Sequence, residues 1–142
     1  MSTTKKIDFV HADFLAHVYY DEKTYAHAQR VTQYVAENRL IPLDLLDSCM
    51  ILAMMHDLLE DTVYEPDDTM PEDLVNALRL LTKPDNMSYI DYIKSIRDTQ
   101  DIPWRECAYW VKIADMKDHL MQKETLTDRL KEKYYTSLPY LL

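Results

Sequence analysis

Leu43–Thr62, LDLLDSCMILAMMHDLLEDT, decides how the rest of the chain is read. Leu45, Leu46, Cys49, Ile51, Leu52, Ala53, Met54 and Met55 put apolar groups nearly all round a helical wheel. That pattern marks a central helix buried on every side, and it predicts one helix from Leu43 to about Asp61. At its C-terminal end the apolar body gives way to His56, Asp57, Glu60 and Asp61. Residues four apart share a helix face, which sets His56 beside Glu60 and Asp57 beside Asp61. Burying such groups unpaired is expensive, and a bound cation is one efficient way to satisfy them. The dipeptide alone is a weak signal. With five His and seventeen Asp in the chain, roughly 0.6 His-Asp pairs arise by chance, and a helix-end dipole contact explains one equally well.

Outward from this segment the apolar spacing stays helical rather than alternating. Phe9, Phe14, Leu15 and Val18 make a first short face. His27 opens a second face that Val31, Tyr34 and Val35 continue, on a helix from about Glu22 to Asn38. Prolines at 42, 66, 71, 84, 103 and 139 cut the chain into helix-length pieces. Thr69-Met70-Pro71-Glu72 fits a capping box with proline in the first turn, and Ser88–Asp91 and Thr125–Asp128 offer weaker versions. The further helices predicted are Pro71–Leu81, Tyr89–Asp98, Pro103–Met121 and Leu126–Thr136. The Tyr-rich tail Lys133–Leu142 docks on the domain or on a second subunit. The expectation is an all-α fold, one compact bundle of about six to seven helices over residues 1–142.

Composition narrows the function. The chain has no glycine, which excludes Walker and dinucleotide-binding loops. A net charge of −9 argues against a nucleic-acid partner, since phosphate neutralisation needs a basic face. A small phosphorylated substrate stays compatible if a local positive focus exists, and a divalent metal supplies one. No stretch approaches the roughly 18 apolar residues of a membrane span, and Met1–Asp8 lacks the apolar core of a secretory signal. A cytoplasmic protein without membrane partners is expected. Cys49 and Cys107 fall within apolar helical patterns and read as buried free thiols.

Two further residues give the His-Asp pair its company. His27 opens an apolar helix face, and Asp115 interrupts the run Trp110-Val111-Lys112-Ile113-Ala114. Taken singly, each has a plain reading as a satisfied core group. Together, the order His27 … His56-Asp57 … Asp115 resembles the HD domain of metal-dependent phosphohydrolases. His56–Thr62, HDLLEDT, is similar to the H-D-x-x-E-D-T segment of SpoT-like alarmone hydrolases. Leu81-Thr82-Lys83 with Tyr89-Ile90-Asp91-Tyr92-Ile93 resembles their L-T-K … Y-x-x-Y-I stretch, and Val111–Asp115 their V-K-L-A-D helix. The resemblance runs from Tyr25 to Leu120.

The resemblance implies that His27, His56, Asp57 and Asp115 ligate one divalent metal, commonly Mn²⁺ in that branch. It also implies that Glu60 and Asp61 act beside it on water and proton transfer. The donor set agrees, because two imidazoles and two carboxylates suit a first-row divalent ion. Of the basic residues Lys83, Lys94, Arg97, Lys112 and Lys117, the reading selects Lys83 and Lys112 for substrate phosphates. Tyr89 and Tyr92 read as core packing. The long SpoT-like enzymes approach the first ligand through a Gly-, Arg- and Pro-containing segment, whereas Asp21–His27 here contains none of these. Four residues after the last ligand they usually carry Asn; here stands His119, a candidate for substrate binding or a spare ligand. The implied activity is hydrolysis of a phosphorylated nucleotide, an alarmone such as (p)ppGpp in the first place. A general nucleotidase or phosphomonoesterase and a catalytically silent binding module are the alternatives.

Overall fold

The structure, a computed structural model, describes residues 6–98 and 104–142. Among these residues the chain forms helices and no strand. They are α1 (Phe9–Tyr19), α2 (Glu22–Glu37), α3 (Leu43–Met55), α4 (Leu58–Asp61), α5 (Glu72–Leu80), α6 (Tyr89–Asp98), α7 (Arg105–Met121) and α8 (Asp128–Leu141). The fold is all-α, as expected, with α4 reduced to a single turn of four residues. No helix is long and apolar enough to cross a membrane among the described residues.

α3 lies at the centre, touched by α1, α2, α5 and α7. Its apolar wheel explains the position: Cys49, Leu52, Ala53 and Met55 are wholly buried, and each large side chain buried this way contributes about 1.5–3 kcal/mol. Cys107 of α7 is likewise a buried free thiol. α6 and α8 pair with each other and lean on α7. The tail therefore docks on its own domain, with Tyr134, Ser137 and Leu141 buried.

Several local expectations are corrected. Of the face predicted for α1, Leu15 is buried and Phe9 packs against the core, whereas Phe14 and Val18 are solvent-exposed and Ala12 and Ala16 complete the buried side. Small side chains let α1 approach α3 closely. Thr69 does not cap α5; its amide and hydroxyl both bond Asp67 Oδ1 in a turn before the helix. The predicted start at Pro103 lies outside the described residues, and α7 begins at Arg105. α8 starts later than expected because Thr127, rather than Thr125, accepts from the Leu130 amide. It also continues through Pro139 to Leu141. A proline so near the end removes one ladder bond, and burial of Leu141 with the bond from Arg97 to the Tyr140 carbonyl holds the last turn.

The correction that matters most for function is at His56–Asp57. The predicted continuous helix ends at Met55, and Asp57 adopts φ −97°, ψ 1° before α4 resumes. The Tyr20 hydroxyl enters the ladder there: it donates to the Met54 carbonyl at 2.9 Å and accepts from the Asp57 amide at 3.1 Å. His56 Nδ1 takes over the Ala53 carbonyl at 2.6 Å. A side chain inserted into the i→i−4 ladder is a recognised cause of a helix break.

Candidate metal centre

The break turns His56 and Asp57 toward the same space, where α2 and α7 deliver one residue each. His27 Nε2 lies 2.8 Å from Asp115 Oδ1 and 3.6 Å from Asp57 Oδ2. His56 Nε2 lies 3.2 Å from both Asp57 Oδ2 and Asp115 Oδ1. One donor atom from each of His27, His56, Asp57 and Asp115 falls within 4.8 Å of the other three. The four residues named from sequence are thus brought together.

The geometry of the two imidazoles tests whether the set fits a cation. In both rings Nδ1–H is committed outward, from His27 to Asp118 Oδ2 at 2.6 Å and from His56 to the Ala53 carbonyl. Nε2 of each ring then faces the cluster, the arrangement typical of metal-bound histidine. Two imidazole nitrogens and two carboxylates make a donor set for a first-row divalent ion, with positions to spare. These side chains, three buried and Asp57 partly so, could hold a metal ion.

Electrostatics follow from the crowding. Burial alone would raise Asp115, but the Lys112 ammonium at 2.9 Å and hydrogen bonds from His119, His27 and His56 hold it well below the usual carboxylate range. Burial disfavours charged His56, yet Asp57 and Asp115 outweigh it and push its value up to about 9. His27 moves upward in the same way, its burial overcome chiefly by Asp115. Asp61 is raised to about 6, by burial first and then by Asp57 and Glu60. Burial and the nearby Asp57 charge also push the Tyr20 hydroxyl up.

The cluster forms the floor of a cleft of about 360 Å³. Glu60 and Asp61 line it, and Glu60 Oε2 accepts from the Lys83 backbone amide at 3.1 Å. Lys83 and Lys112 line it as well, although the Lys83 ammonium bonds the Pro84 carbonyl and that of Lys112 serves as the counter-ion of Asp115. His119 Nε2 sits 3.3 Å from Asp115 Oδ1, and its ring stacks on Tyr134 at 5.1 Å and 7°. Tyr92 is a core residue, its hydroxyl donating to the Leu81 carbonyl. Tyr89, only partly buried, forms cleft wall together with Tyr134. Lys94, Arg97 and Lys117 point elsewhere, toward Tyr140, Asp98 and Tyr34.

Sequence reading missed five groups here, Tyr134 of the cleft wall among them. Lys23 and Lys133 add two more cations to the cleft, and no local pattern sets them apart from other surface lysines. Asp118 is fully buried against His27, and Arg30 grips it through Nε at 2.8 Å and Nη2 at 3.1 Å. A signal for this pair did exist: His27 and Arg30, like Asp115 and Asp118, are three apart and so share a helix face. No family model matches the chain, and no curated protein matches it.

Proposed function

We propose that this protein is an HD-type metal-dependent phosphohydrolase acting on a pyrophosphorylated or phosphorylated nucleotide, with an alarmone such as (p)ppGpp as first substrate. One observation carries the reading. A two-His, two-Asp donor cluster lies at the bottom of a cleft that gathers Lys23, Lys83, Lys112 and Lys133 in a chain of net charge −9. His27, His56, Asp57 and Asp115 would hold a divalent ion, Mn²⁺ by the sequence resemblance. When bound, such an ion polarises a phosphoryl oxygen and acidifies water.

The chain's own groups account for the remainder. Glu60, fixed by the Lys83 amide, and the neighbouring Asp61 orient water and carry protons beside the cluster. The cleft lysines neutralise phosphate oxygens, and the low-dielectric floor strengthens each such contact. Tyr89 and the stacked pair His119–Tyr134 offer flat faces to a base.

The test is incubation of purified, Mn²⁺-loaded protein with a panel of alarmones and ordinary nucleotides, followed by product analysis. The reading expects pyrophosphate release from a 3′-pyrophosphorylated nucleotide. Absence of turnover on every member would overturn it. A general nucleotidase is favoured by one feature: the Asp21–His27 approach lacks Gly, Arg and Pro, and Asp21 is committed to capping α2 through the Thr24 amide. Faster turnover of an unmodified nucleotide than of any alarmone selects that alternative.

A further inference from the structure

We infer that Asp118, clamped by Arg30, is the positioning residue that fixes His27 as a donor through Nε2. This inference rests on the proposed metal centre and adds to it a device that no composition or motif pattern assigned. The Asp118 side chain is 0% exposed, and buried carboxylates require full pairing. Oδ2 accepts from His27 Nδ1 at 2.6 Å and from Arg30 Nη2 at 3.1 Å. Oδ1 accepts from Arg30 Nε at 2.8 Å and, more weakly, from Gln122 Nε2 at 3.5 Å.

Two consequences follow from this arrangement. The bond to Nδ1 keeps the proton on that nitrogen, so that Nε2 is the atom that gives up its proton to receive a cation, and it stops the ring from flipping. The fork from Arg30 occupies both carboxylate oxygens in the planar geometry that guanidinium favours. Asp118 is thereby kept as an acceptor for His27 and barred from competing as a ligand. The other imidazole is fixed differently: His56 Nδ1 bonds the Ala53 carbonyl, which is backbone and cannot be mutated away. His27 is therefore the ligand whose aim depends on side chains, and one face of α2 reads one face of α7 through two residue pairs spaced three apart.

The experiment compares wild type with Asp118→Ala, Asp118→Asn and Arg30→Met. Mn²⁺ affinity is measured by calorimetry, and the His27 tautomer by histidine-nitrogen NMR on Zn²⁺-loaded protein. Asp118→Ala is expected to weaken Mn²⁺ binding about tenfold to a hundredfold and to abolish the single Nδ1–H tautomer of His27. Asp118→Asn keeps the shape and an acceptor oxygen, so it recovers part of the loss and carries the test if the alanine variant does not fold. Arg30→Met lowers the melting temperature while leaving the tautomer in place, which separates positioning from packing. Wild-type affinity and tautomer in both Asp118 variants would overturn the inference, as would equal weakening by Arg30→Met and Asp118→Ala with the tautomer unchanged in each. Weakened binding in an enzyme that hydrolyses nothing sinks the proposed activity and leaves this inference standing. A wild type that binds no Mn²⁺ overturns both.

Discussion

Asp57 sits partly buried at the break between α3 and α4, its carboxylate 3.2 Å from His56 and 3.6 Å from His27. Replacing it with Ala removes one of four donors. Elemental analysis is expected to find about one divalent ion per wild-type chain and close to none in Asp57→Ala; equal content in both would place the ion elsewhere. Protons compete for the same atoms. His56 is raised to about 9 because Asp57 and Asp115 outweigh its burial, so Nε2 must give up a proton to receive a cation. Mn²⁺ affinity should rise with pH up to about 9, and binding at pH 7 should release protons, read by calorimetry in buffers of different ionisation enthalpy. The sign also sets metal-free stability. A folded value above the ordinary 6.5 adds stability that is fully present below about 6.5 and lost as pH rises through about 9. Chelator-treated protein should therefore melt lower at pH 9 than at pH 6.5, and a flat profile would contradict that coupling.

At the scale of elements, the junction of α3 and α4 is made by a residue of the first interhelical turn. Tyr20→Phe leaves the Met54 carbonyl and the Asp57 amide without their shared hydroxyl, at a cost of about 1–3 kcal/mol for buried polar groups. Thermal denaturation should show a fall of several degrees, and Mn²⁺ affinity should drop with it because Asp57 loses its anchor. Unchanged melting and affinity would show that the break is intrinsic to the local sequence. Periodicity could not foresee this break. The hydrophobic pattern of Leu43–Leu59 runs on through it, and the hydroxyl responsible lies 37 residues away from Asp57. Where the determinants are local, the reading held: the cap Ser88 and the spans of α2 and α6 need only neighbours within one turn.

For the whole molecule, the candidate centre joins α2, the α3–α4 junction and α7. A ligand that binds only the folded state stabilises it by about 2.7 kcal/mol at a hundredfold excess over Kd, which corresponds to roughly 5–10 °C in a chain of this size. Mn²⁺ should raise Tm by that amount in wild type and leave Asp57→Ala unmoved. The four candidate ligands were named together because their order along the chain matches the resemblance; singly, each had a plain reading as a satisfied core or helix-end group. Lys133 and Tyr134 were not legible, because only the docking of α8 brings them to the cleft. Arg30 and Asp118 fell between: their spacing from His27 and Asp115 is visible in the sequence, but their pairing needs α2 and α7 side by side. The Tyr20 bridge also supplies a built-in reporter. The Asp57 amide is shielded by a phenol instead of a carbonyl of its own helix, so a swing of one side chain exposes it while α3 stays folded. Its deuterium uptake should outpace that of the flanking α3 amides and follow local opening rather than global unfolding. Added Mn²⁺ should slow that uptake selectively, making one backbone proton a gauge of occupancy.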